Sequence, residues 1–96
     1  MVTLADPSHP GEVLKELFLD PLGMSAGALA TKLKVPRTRI ERLVKEETAM
    51  TADTALRLAR FFANSAEFWM NLQRAFDLHE ARKRIDVSGI KPMKVA

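Results

Sequence analysis

Apolar residues recur along this chain at helical spacing, in five blocks separated by turn-forming residues. The first block starts near Pro10 or Gly11, where proline suits an opening turn, and runs to about Leu19. Val13, Leu14, Leu17 and Phe18 make its apolar stripe, and Asp20-Pro21-Leu22-Gly23 is expected to end it. Ser25 suits the N-cap of a second helix whose inward positions are Leu29, Ala30 and Leu33. Lys34-Val35 then makes a tight turn, and Pro36 opens a third helix with Ile40, Leu43 and Val44 facing inward. Thr51 caps a fourth helix, which carries Ala55, Leu56, Leu58, Ala59 and Phe62. The fifth starts at Ser65, has Glu67 well placed in its first turn, and reaches about Ile85. Its stripe of Phe68, Leu72, Ala75 and Phe76 should cover the first and fourth helices. Trp69 and Met70 fall off that stripe and are candidates for a dimer interface, with the core as the alternative for Trp69. Residues 86 to 96, with Gly89 and Pro92, are expected to form a loose tail.

Composition agrees with this pattern and narrows it. Tyrosine is absent, β-branched runs are missing, and Ala, Leu, Lys, Glu and Arg dominate, so the fold is expected to be all-α. At 96 residues and 47% hydrophobic, residues 1 to 96 are expected to form one globular domain. Lack of cysteine rules out disulfides and thiolate metal sites and fits a cytoplasmic location. No apolar run approaches the roughly 20 residues of a membrane span. The opening Met-Val-Thr-Leu-Ala-Asp-Pro-Ser-His-Pro is too short and mixed for a signal peptide.

Net charge is only +3, but its distribution is uneven. Between residues 32 and 45, Lys32, Lys34, Arg37, Arg39, Arg42 and Lys45 face the single anion Glu41. A local basic patch on one element is the footprint of a DNA reader. The spacing around it supports a helix-turn-helix over about 25–45. Steeply crossed helices need a small residue in the first, here Ala30, and a hydrophobe in the turn, here Val35. The exposed N-terminal end of the second helix then enters the major groove of double-stranded DNA, presenting Arg37, Thr38, Glu41 and Arg42, with Arg39 alongside. Arginine can grip a guanine edge bidentately. Lys34 and Lys45, at the margins, suit phosphates.

Other chemistry finds little support. His9 and His79 are the only histidines and lack carboxylates at ligand spacing, so no metal or cofactor is expected. His9 reads as a structural residue at the start of the first helix. No phosphate-binding glycine loop, paired carboxylates or nucleophile constellation is present, so no catalytic residue and no enzyme is expected.

Four strings in order resemble the HigA antitoxin family within the Cro/CI-like repressors. They are His9-Pro-Gly-Glu-Val-Leu14, Val35-Pro-Arg-Thr-Arg-Ile40, Thr51-Ala-Asp-Thr-Ala-Leu-Arg-Leu-Ala-Arg60, and Ser65-Ala-Glu-Phe-Trp-Met-Asn-Leu-Gln73 followed by Ala75-Phe-Asp-Leu78. The resemblance covers about residues 8 to 82 and implies a lambda-repressor-like five-helix fold. It also implies a homodimer that represses its own operon at a palindrome and neutralises a RelE/HigB-like mRNA-cleaving toxin, usually encoded just upstream. Carried over by position, Arg37, Thr38, Arg39 and Arg42 are the implied DNA face. Lys34 stands where the wider group often has glycine, so a side-chain-bearing residue must adopt a left-handed backbone there. Ala26 replaces a glutamine common in that group, leaving Ser25, Thr31 or Lys32 to anchor the second helix on DNA. A stand-alone repressor without a toxin, and a helical adaptor that does not read DNA, are the alternatives.

Overall fold

His9 starts the first helix: its Nδ1 accepts the Gly11 N–H at 2.9 Å, and its ring packs edge-on to Phe76. The computed structural model describes residues 6–94. The first half of the stretch read for a signal peptide, residues 1–5, and the tail's last two residues lie outside the described residues. Five helices and no strand are found among the described residues. They are α1 (10–22), α2 (Ala26–Leu33), α3 (Arg37–Val44), α4 (Ala52–Phe62) and α5 (Ala66–Arg84). None is long and apolar enough to cross a membrane.

Helix α1 departs from the expected form in its middle. Pro10–Val13 is α-helical, Leu14–Leu19 is π-helical, and Asp20–Leu22 returns to α geometry. Proline inside an α-helix lacks its N–H donor and collides with the carbonyl four residues back. The wider π turn, in which Asp20 N–H donates to the Lys15 carbonyl, lets the chain continue through Pro21. The helix therefore runs past the expected end at Leu19 and stops at Gly23 (φ 62°), the last residue of the expected Asp20-Pro21-Leu22-Gly23 break. A π turn also adds a residue and rotates the C-terminal part of the helix. Leu17 is consequently 57% exposed and Leu19 takes its place in the core.

The next two helices follow the sequence closely. Ser25 Oγ accepts the Ala28 N–H at 3.0 Å, and Leu29, Ala30 and Leu33 are buried. Pro36 is the residue before α3 rather than its first; its extended ψ of 143° turns the chain into the helix. Ile40 and Leu43 are buried and Val44 is half-buried. Gly11 packs α1 against α3 so closely that a Cβ there would collide with the Leu43 carbonyl oxygen.

Thr51 caps α4 through the Thr54 N–H, and Ser65 caps α5 through the Phe68 N–H. Ala55 and Leu58 are buried, whereas Leu56, expected inward, is 63% exposed. On α5 the buried positions are Trp69 and Gln73, with Leu72 and Phe76 half-buried. The expected stripe is thus rotated: Phe68 and Ala75 are exposed and Trp69 is fully covered. Trp69 Nε1 donates to Asn64 Oδ1 at 3.0 Å, and Phe18 and Phe68 pack on its indole at about 5 Å. Its amphipathic ring finds both an aromatic bed and an acceptor inside the subunit. Trp69 is therefore a core residue with no surface left for a dimer partner. Met70 remains exposed. Beyond Ile85 the described tail is exposed and non-helical.

Candidate nucleic-acid interface

The site is built on the crossing of α2 and α3. Ala30 is buried at that crossing and Val35 is half-buried in the turn. Lys34 takes the left-handed conformation (φ 60°), so α2 stops within one residue. Its end is closed by the Val35 N–H donating to the Ala30 carbonyl and the Lys34 N–H to the Thr31 carbonyl. A non-glycine residue does carry this turn.

Burial of Ile40 and Leu43 turns the opposite side of α3 outward. Arg37, Thr38, Arg39 and Arg42 are all exposed on it, and Glu41 is half-buried. Two shallow grooves flank the helix. One, of about 510 Å³, is lined by Ser25, Gly27, Thr31 and Arg37. The other, of about 420 Å³, is lined by Thr38, Arg39, Arg42, Thr48, Ala49 and Asp53 among others. The α3 ridge between two grooves, with arginines at its N-terminal end, has the relief of an element that enters a major groove.

Each side chain is differently constrained. Arg37 Nε lies 3.4 Å from Glu41 Oε2 one turn on, and the Arg37 side chain is 73% exposed. Such a solvent-screened pair yields readily to a better acceptor. Arg42 and Thr38 line the second groove, where a base edge or phosphate can be met. Arg39 is held from another helix: its Nη1 lies 2.6 Å from Asp53 Oδ1. Ser25 uses its oxygen as the cap acceptor, which leaves its hydroxyl proton to donate outward. Lys45 follows the last residue of α3, about 12 Å along the axis from Arg37. Lys34 lines neither groove beside α3. It faces a third one, with Lys32, Leu56, Arg60 and Phe61, between the end of α2 and α4.

Sequence reasoning passed over several residues that shape this surface. A Cβ at Gly27 would lie 2.8 Å from Arg37 Cδ, so glycine there lets the arginine lie against the first turn of α2. Thr48 and Ala49 form the far wall of the second groove. Asp53 also accepts from Arg57 Nε at 2.8 Å, and Arg57 Nη1 donates to the Leu33 carbonyl at 2.8 Å. These hydrogen bonds, the Arg57 one foremost, hold the Asp53 carboxyl below its usual range. Gln73 Oε1 accepts the Met50 N–H at 2.6 Å and so fixes the loop bearing Thr48 and Ala49. An isolated glycine in a helical pattern and the i,i+4 spacing of Asp53 and Arg57 were the local cues; the Arg39–Asp53, Arg57–Leu33 and Gln73–Met50 partners are distant in sequence. Among the described residues, no group of three or more His, Cys, Asp or Glu side chains could hold a metal ion.

A helix-turn-helix family model matches residues 14–69, which contain the α2–α3 unit, α4, most of α1 and the first turn of α5. Antitoxin HigA-1 of Vibrio cholerae is 37% identical over 92 residues, covering 94% of this chain and 87% of that one. The solved Pseudomonas aeruginosa antitoxin HigA with the higBA promoter superposes with a TM-score of 0.82 at 40% identity, over 92% and 99% of the two chains. The chain belongs to the HigA-type antitoxins of the helix-turn-helix family. Virulence-associated protein I of Dichelobacter nodosus is a further relative, 51% identical over 75 residues (78% of this chain, 69% of that one). In this HigA-type chain the family motif coincides with the ridge and grooves around α3.

Proposed function

We propose that this protein is a homodimeric autorepressor that reads a palindrome in its own promoter through α3 and neutralises a RelE/HigB-like, mRNA-cleaving toxin. The observation that carries the DNA reading is the exposed row Arg37, Thr38, Arg42 on a helix fixed by a left-handed turn. That relatives of the same fold are solved with the higBA promoter or their own operators supports it. Arg37 and Arg42 meet base edges, while Ser25, Lys45 and the groove wall at Thr48 meet phosphates. Met70 and Leu78 on α5, with Ile85 just past its end, leave apolar surface for a second copy to cover. Membership among the antitoxins supports the toxin partner. No role as an enzyme is proposed.

Gel shift on the promoter, with circular dichroism alongside, tests the DNA reading. Arg37→Ala or Arg42→Ala should each weaken binding by about 1–3 kcal/mol, roughly 5- to 150-fold, with helicity unchanged. Unaltered affinity in both variants refutes the proposed face. For the toxin, a basic reading frame just upstream whose product co-purifies with this chain is expected; absence of such a partner leaves an autorepressor alone.

A further inference from the structure

Asp53 stands in the first turn of α4, beside the groove that Thr38, Arg39 and Arg42 line. Its Oδ1 accepts from Arg39 Nη1 at 2.6 Å and from Arg57 Nε at 2.8 Å. Arg57 is itself anchored on the Leu33 carbonyl at the end of α2. One carboxylate thus joins the reading helix to the turn that sets its angle. The Asp53 and Arg39 side chains are 56% and 41% exposed, so this pair can open when a competing anion arrives.

We infer that Asp53 is a positioning residue that sets sequence discrimination by keeping Arg39 off the phosphates of DNA in general. The inference rests on the reading of α3 as the DNA-contacting helix. A phosphate offers Arg39 one anion in place of another, so Asp53 competes with it effectively. The guanidinium fork takes carboxylate and phosphate alike through two oxygens, so that exchange is near even, whereas on the operator the Arg37 and Arg42 base contacts fix the register and bind without it. Asp53 therefore weakens non-specific binding more than operator binding. The groove wall formed by Arg39, Asp53 and Thr48 places this competition at the DNA-facing surface rather than behind it.

The test is Asp53→Asn, neutral and of the same shape, in anisotropy titrations on promoter duplex and a scrambled duplex of equal length across a salt series. Affinity for the scrambled duplex should rise about two- to fivefold. Its log–log salt slope should steepen by ~0.9 per subunit, ~1.8 for the proposed dimer, the signature of one added phosphate contact per subunit, while promoter affinity changes less. Asp53→Glu, which keeps the charge, should restore the wild-type slope. On scrambled DNA, Arg39→Ala with Asp53→Asn should match Arg39→Ala alone. An unchanged slope and ratio overturns the inference, as does a gain that persists without Arg39, since that would be simple loss of repulsion. Wild-type protein that binds both duplexes equally would instead refute operator recognition; the scrambled-duplex comparison still decides the role of Asp53.

Discussion

Two polar side chains at the edge of the α3 surface show how differently exposed and buried groups are balanced. Asp53 is held below the ordinary carboxylate range, first by Arg57 and then by Arg39. Its folded pKa is lower than its unfolded one. The stabilisation is therefore complete above the ordinary carboxylate pKa and is lost as pH falls through the depressed value. Melting scans from neutral pH to about pH 3 should show wild type losing its margin over Asp53→Asn; a margin independent of pH would mean that the pairing contributes nothing. Gln73 presents the opposite case, a buried amide whose oxygen takes a buried backbone N–H from Met50. Gln73→Met leaves that donor unpaired and should cost about 1–3 kcal/mol. Chemical denaturation measures it. Gln73 Nε2 also donates to Asp77 Oδ1 at 2.8 Å, so Gln73→Glu is paired with Asp77→Asn to remove the facing carboxylate. That double variant keeps an acceptor and should lose less, and an equal loss would assign the effect to packing.

The helices differ in how far their placement could be read from local sequence. Ser25, Thr51 and Ser65 are short-range signals, each bonding an N–H three residues on, and all three caps are where the sequence puts them. The arginine row on α3 was equally legible, because burial of Ile40 and Leu43 fixes which side faces out. The π segment in α1 was not legible. It reconciles Pro21 with a continuing helix, and it moved Leu19 inward at the expense of Leu17. Nor was the face of α5, where Trp69 is drawn in by Phe18 and by Asn64, partners outside its own helix. The Arg39–Asp53–Arg57–Leu33 chain spans three elements; only its Asp53–Arg57 link, an i,i+4 pair, leaves a local trace in the sequence. Gly27 connects both kinds of information, since helical propensity and the space for Arg37 make opposite demands on it. Gly27→Ala should leave stability unchanged or raise it by up to about 1 kcal/mol. The added methyl meets Arg37 Cδ at 2.8 Å, so operator affinity should fall severalfold as the arginine is displaced. Melting and gel shift run together check the divergence; parallel changes in both would show that Arg37 is not seated by this glycine.

For the whole molecule, a palindromic site asks for two α3 helices about 34–36 Å apart, one for each half-site. A single subunit covers only one. The core closes around Trp69 without needing a neighbour, so pairing has to use what the subunit leaves uncovered. That surface includes Leu78 on α5 and Ile85, the residue after its last turn, 45% and 55% exposed. Ile85 has extended backbone (φ −107°, ψ 118°), so it carries the apolar surface past the end of α5. Val87 and Ile90 extend the apolar series into the tail, at 60% and 72% exposure. α3 packs chiefly against α2 and α1, so burying this surface leaves the reading helices free. Leu78→Glu combined with Ile85→Glu should thus give a folded monomer in sedimentation at micromolar concentration. Its promoter affinity should fall by at least about tenfold, because each half-site is then bound without the gain from linkage. A dimer that survives both substitutions would move the two-fold contact elsewhere, with Met70 the next exposed apolar residue on α5 to test.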